Sequence, residues 1–252
     1  MIEIKNLYKA FGDHQVLEDL NLTINTGESM VIIGRSGCGK SVLLKHIIGI
    51  LRPDSGSVEI DELDITKLSP SDLNKLRMDF GMLFQGAALF DSLSVLENVG
   101  FRLIEYTDKS LEDINKRVAD CLSMVGLKGI EEIKPAELSG GMKKRVGLAR
   151  AISMSPKIIL FDEPTTGVDP IMGDIINDLI RDLHDKLKVT SITVTHDMKS
   201  AYKIADRIAM LYDKKIIAVG TPEEIRKSKN PIVKQFINGE AKGPITVTDT
   251  GD

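Results

Sequence analysis

Tryptophan is absent from the 252 residues, and cysteine occurs only as Cys38 and Cys121. The first absence excludes nothing, whereas two cysteines are too few for a disulfide framework. Basic excess is also missing. With 33 basic and 37 acidic residues the formal net charge is -4, which removes the global electrostatic case for nucleic acid as a partner and leaves only a local patch open. No apolar run approaches the roughly 20 residues of a membrane-crossing helix, so any membrane role has to pass through a partner. There is no internal repeat or low-complexity block. The chain opens on the strand-like Ile2-Glu3-Ile4-Lys5-Asn6-Leu7-Tyr8 rather than on a charged-then-apolar leader, and the expectation is a cytosolic protein. What is present in quantity is core: at 42% hydrophobic the chain can bury one large domain, or a core with a smaller lobe.

Two stretches carry chemistry. The apolar run Met30-Val31-Ile32-Ile33 leads straight into Gly34-Arg35-Ser36-Gly37-Cys38-Gly39-Lys40-Ser41, and Val42, Leu43, Leu44, Ile47 and Ile48 then follow at helical spacing. Strand, glycine loop and helix with G-x4-G-K-S spacing form a phosphate-binding loop. Its amides can wrap phosphates, Lys40 can reach the β and γ phosphates, and the Ser41 hydroxyl can ligate Mg²⁺. The second stretch runs from Leu138 to Asp169. Ser139 is placed to cap a helix carrying Val146, Leu148, Ala149 and Ile152, and Gly140 and Gly141 let an anion approach its amides. Ile158 to Phe161 read as a strand buried on both faces, with Asp162 and Glu163 at its carboxyl end. Lys143, Lys144 and Arg145 form a basic run that on a helix reads as a solvated face.

In chain order, strands are expected at 2–8, 16–24 and 29–33, near 58–60 and at Ile65, and at 80–84 ending at Gln85. Leu111, Ile114, Val118, Leu122 and Val125 define an amphipathic helix within a helical lobe of about 86–154. Strands at 158–161 and 190–194 enclose a helix through Ile175, Ile176, Leu179, Ile180, Leu183 and Leu187. That arrangement is an α/β crossover between parallel strands. A helix follows His196-Asp197, then strands at 207–212 and 215–219 and two short helices to about 238. The tail from Glu240 is polar and expected to be mobile.

These motifs, in this order, resemble an ABC-type ATPase subunit over about residues 1–238. Gly34 to Ser41 match its Walker A, Gln85 its Q-loop and Leu138 to Met142 its signature. Ile158 to Asp162 match Walker B, Glu163 the catalytic glutamate, Thr166 to Asp169 the D-loop and His196 the switch histidine. The resemblance implies an α/β P-loop fold with a mostly parallel core sheet, an N-terminal antiparallel β part and a helical signature lobe, followed by a tail at 239–252. It implies ATP and Mg²⁺ as cofactors, with Lys40, Gln85, Glu163 and His196 in catalysis and Ser41, Gln85 and Asp162 at the metal. Walker A with Val42, and Ser139, Gly140 and Gly141 from a second copy, would hold the nucleotide. Phe11 falls where the family stacks an aromatic on adenine, with Val16 nearby; an ordinary core Phe is the alternative. Met142 departs from the Gln of many members, and a thioether donates no hydrogen bond.

The run Gln85 to Val99, the signature with Met142 and the stretch Gln235 to Ile245 resemble the ATPases of MCE-associated, Mla-type phospholipid transporters. That implies an integral-membrane permease, an MCE-type lipid-binding protein and a small STAS-domain protein as partners, and a peripheral place at the inner face of the cell membrane. A small-solute importer subunit or an iron-sulfur assembly ATPase are the alternatives. A DNA-repair type of ATPase is disfavoured because residues 42–137 hold no long coiled coil.

Overall fold

Two units share the chain, Met1–Ser69 with Val194–Asp252 and Pro70–Thr193; the computed structural model describes residues 1–246, so 247–252 of the expected tail lie outside the described residues. The elements are β1 (Ile2–Phe11), β2 (His14–Ile24), β3 (Ser29–Ile33), α1 (Lys40–Ile47), β4 (Ser55–Ile60), β5 (Leu63–Asp64), α2 (Pro70–Arg77) and β6 (Phe80–Leu83). They continue with α3 (Val95–Tyr106), α4 (Leu111–Met124), α5 (Gly140–Ile152), β7 (Ile158–Asp162), α6 (Pro170–Leu187) and β8 (Thr190–Thr195). The chain closes with α7 (Met198–Ile204), β9 (Arg207–Tyr212), β10 (Lys215–Gly220), α8 (Pro222–Arg226) and α9 (Pro231–Asn238).

In the first unit the alternation of Ile2 and Ile4, and of Leu20, Leu22 and Ile24, turns one face of each strand inward, as period-two spacing requires. β1 lies between β2 and β4, antiparallel to both, and β5 adds to the edge of β4. β3 is buried at every position and pairs in parallel with β9, from Met30 opposite Arg207 to Ile33 opposite Met210. β9 returns as β10 through Asp213 and Lys214, whose φ values of 46° and 69° suit the tight turn of a hairpin. The short strand expected at Ile65 is instead a 3-10 turn, Ile65–Lys67. Its cause is local: the Asp64 carboxylate accepts from the Thr66 backbone N–H at 3.0 Å and from its hydroxyl at 2.6 Å, which bends the chain after two strand residues. Residues 240–246 are fastened rather than loose. The buried Gln235 amide donates to the carbonyls of Glu240 and Ile245 at 3.2 and 3.1 Å and accepts from the Ile245 N–H at 2.6 Å, with Ile245 itself buried.

In the second unit β6 and β7 pair in parallel, from Phe80 opposite Ile158 to Leu83 opposite Phe161. Phe80 and Phe161 are among the largest fully buried side chains, and truncating either to Ala should cost about 3–5 kcal/mol. The helices begin where capping chemistry directs. Ser94 and Glu97 form a reciprocal capping box at α3, Ser110 caps α4 and Asp169 caps α6, each supplying acceptors for amides that a helix start leaves orphaned.

Candidate nucleotide site

The phosphate loop belongs to the first unit. A Cβ on Gly34 would lie 2.5 Å from the Leu211 carbonyl oxygen, so the loop can leave β3 only as glycine. Gly39, at φ 104°, is held close to the Val16 side chain and precedes α1 without any side-chain cap. Lys40 opens the helix. It is buried, and its ammonium donates to the carbonyls of Gly34 at 2.9 Å and Arg35 at 2.8 Å, which fixes the lysine along the loop. Beside it lies a cavity of 340 Å³ lined by His14, Gln15, Val16, Arg35, Ser36, Gly37, Cys38, Tyr212, Asp213 and Lys214.

Five of those ten were expected from the sequence: Val16, Arg35, Ser36, Gly37 and Cys38. Phe11 is not among the lining residues; it ends β1 opposite His14, exposed, with the Lys9 ammonium 5.4 Å from its ring centroid. His14, Gln15 and the β9–β10 turn were missed. No motif marks them, and only the parallel pairing of β9 with β3 reveals that this turn adjoins the loop. The Arg35 guanidinium also donates to the Thr246 carbonyl at 3.2 Å.

The second unit carries the acidic and signature groups. Asp162 and Glu163 are buried at the end of β7, and the Thr166 hydroxyl donates to Glu163 Oε2 at 3.2 Å. Glu163 has φ 46°, a left-handed conformation that costs a non-glycine residue free energy and clusters at functional sites. The Ser139 hydroxyl accepts from the Met142 N–H at 3.3 Å and so caps α5. A side chain on Gly141 would collide with Met172, 2.6 Å from the would-be Cβ, while Gly140 is exposed. Gln85 follows β6 and is exposed; His196 follows β8 and is exposed.

The basic run does not form one solvated face. Lys144 is 5% exposed, and its ammonium donates to the carbonyl of Gln85 and, at 3.3 Å, to that of Glu163. Burial pushes its pKa below the usual lysine range, against the opposing pull of Glu163 and Asp162. One turn and a half further along α5, Arg150 donates to the carbonyls of Ala88 at 2.7 Å and Ala87 at 2.5 Å. These two cations were invisible as a pair in the sequence because neighbouring lysines conceal which one turns inward. The segment beyond is held by Asn98, fully buried, which accepts from the Phe90 N–H at 2.8 Å. Its amide donates to the carbonyls of Phe90, Leu93 and Ser94 at 3.1, 3.1 and 2.9 Å. Phe90 itself projects, with its ring 4.9 Å from that of Phe101.

A family model described as ABC transporter matches residues 17–166. The chain belongs to the ABC transporter family. It is 43% identical over 251 residues to the "Probable ribonucleotide transport ATP-binding protein mkl" of Mycobacterium tuberculosis, which covers all of this chain and 70% of that protein. It is also 43% identical over 245 residues to the "Intermembrane phospholipid transport system ATP-binding protein MlaF" of Haemophilus influenzae, covering 97% of this chain and 93% of that one. Among solved structures it resembles a dimeric ATP-binding cassette in a post-hydrolysis state bound to ADP and Pi, at TM-score 0.81 and 36% identity over 88% of this chain and 99% of that one. This ABC subunit binds ATP and hydrolyses it.

Proposed function

We propose that this ABC ATPase subunit pairs with a second copy of itself around two ATP and drives a membrane permease that moves phospholipid. The observation that carries the lipid reading is the match to MlaF, which extends over 97% of this chain and 93% of that protein. Among the described residues no helix is long and apolar enough to cross a membrane, so attachment runs through the permease. Phe90, held outward by Asn98 and reached directly from Gln85, is the anchor we assign to that contact; an MCE-type lipid-binding protein and a STAS-domain protein complete the assembly.

Hydrolysis asks for charge neutralisation and positioning. Lys40 and the loop amides bind the phosphates, Glu163 orients or deprotonates the attacking water, and His196 and Gln85 contact the γ-phosphate side. Ser41, Asp162 and Gln85 carry the oxygen donors that a hard cation takes and would hold Mg²⁺, which would neutralise phosphate charge. Ser139, Gly140 and Gly141 serve the nucleotide of the second copy. A small-solute reading is favoured by the name of the mycobacterial relative, whose match covers 70% of that protein. Purifying the native complex and identifying its bound molecules by mass spectrometry decides between them. Co-purifying phospholipid is the expected result; a ribonucleotide other than ATP or ADP in stoichiometric amount would overturn it.

A further inference from the structure

α5 presents Lys144, Gly147, Arg150 and Ala151 toward β6 and the segment through Gln85 to Ala88 that follows it, a spacing that puts them along one side of a helix. Contact there is close. A Cβ on Gly147 would lie 2.6 Å from Leu83 Cδ1 and 3.4 Å from Ala87 Cβ, and one on Gly81 would lie 2.2 Å from the Ala151 carbonyl oxygen. Within this seam an ammonium is buried, which is unfavourable unless it is hydrogen-bonded or paired. Lys144 meets that requirement with the carbonyls of Gln85 and Glu163. Both acceptors adjoin unusual backbone: Glu163 is left-handed at φ 46°, and so are Ala87 and Ala88 at 61° and 48°, whose carbonyls are held by Arg150. A conformation that is costly alone persists when its surroundings over-determine it.

We propose that Lys144 is a positioning residue for hydrolysis: its buried ammonium fastens the signature helix to the backbone of Gln85 and Glu163. The three nucleotide-facing groups of this unit then keep one register. The proposal rests on the roles given above to Gln85 and Glu163. A displacement of the Gln85 segment is thereby delivered to the Ser139 end of α5 and to the Glu163 carbonyl together, because charge-assisted hydrogen bonds resist separation more than neutral ones.

The test is steady-state ATPase on the full-length protein beside equilibrium binding of a fluorescent ATP analogue. Lys144→Met is expected to lower kcat about tenfold or more with nucleotide Kd within about twofold, since the lysine touches backbone and not nucleotide. Lys144→Arg, which restores a cationic donor, is expected to recover most of the loss. Combined with Gln85→Ala, the losses in kcat should fall short of multiplying, as for residues acting through one unit. An unchanged kcat, a Kd that weakens in step, or losses that multiply would each overturn the proposal. If Lys144→Met melts below the assay temperature, Lys144→Gln, with amide donors and no charge, is held to the same criteria. Glu163→Gln run in parallel separates the two readings. Near-normal turnover in that variant overturns the role of Glu163 and the clamp with it. Abolished turnover beside an unaffected Lys144→Met overturns the clamp alone.

Discussion

The two glycine-flanked helix starts, α1 in the first unit and α5 in the second, differ from most of the other helices and from each other, although α9, at an Asn cap, likewise begins without an acid. α2, α3, α4 and α8 carry acids in their first turn, and α6 and α7 begin at an Asp cap, which suits the positive end of a helix dipole. α1 and α5 have no acid in either place and carry Lys40 and Lys143 in the first turn instead. A cation at that end is unfavourable by about 0.3–1 kcal/mol, so Lys40 at the first position of its helix points to an anion. Between the two, α1 is left uncapped by any side chain whereas Ser139 caps α5. In the function proposed above, the first gives its amides to a ligand of its own unit, whereas the second keeps its own cap, is joined through Lys144 to the Gln85 carbonyl, and is moved as well as binding.

The largest expected effect separates binding from turnover. Glu163→Gln keeps the shape and loses the base, and turnover should fall by about 10²-fold or more while ATP binding survives. Near-normal turnover would remove Glu163 from the reaction. Next in size is Lys40→Ala, which tests α1 directly. Losing charged hydrogen bonds worth about 1.5–3 kcal/mol should weaken nucleotide binding about 10- to 150-fold. Equal affinity in equilibrium titration would mean that Lys40 only braces the carbonyls of Gly34 and Arg35.

Much of this contrast was legible in the sequence because it rests on local signals. A buried apolar run feeding a glycine loop, and a serine before two glycines, specify strand, loop and cap without distant help. Ile65 was misread because an Asx-type contact from Asp64 outcompeted strand pairing, and a hydrophobic residue carries no mark of that choice. Lys144 and Arg150 were hidden for a different reason: whether a lysine on α5 faces solvent or carbonyls depends on how tightly Gly147 and Gly81 let the helix approach. The Asp213-Lys214 turn reaches the loop through the pairing of β3 with β9, across more than 170 residues of chain, and no local pattern encodes that.

The α5 half of the comparison is broken more selectively by Ser139→Arg. Bulk and charge at an exposed cap should leave ATP affinity of the single subunit similar, because the phosphate loop lies in the other unit, yet block nucleotide-driven pairing. Light scattering in the Glu163→Gln background with ATP and Mg²⁺ reads this out. An undiminished dimer would defeat the shared-site reading and reduce Ser139 to a cap, worth about 1 kcal/mol to its helix.

The smallest effect on the isolated subunit is expected at Phe90, and it sharpens what α5 is wired to. Phe90 is 47% exposed, and its main aromatic neighbour is Phe101, with ring centroids 4.9 Å apart and planes 40° from parallel. Truncation forfeits that pair, about 0.5–1.5 kcal/mol, and should lower the melting temperature by about 1–6 °C. A core phenylalanine would instead cost about 3–5 kcal/mol. The backbone here should not move, because its four hydrogen bonds to Asn98 do not involve the ring. Phe90→Ala should therefore keep basal ATPase close to wild type while weakening capture of the permease and lowering lipid transport in reconstituted vesicles, as expected of an aromatic anchor at an interface. A melt run beside the pull-down distinguishes the cases. A fall of more than about 10 °C would mark Phe90 as core, and undiminished capture with a small fall would move the permease contact elsewhere on this unit.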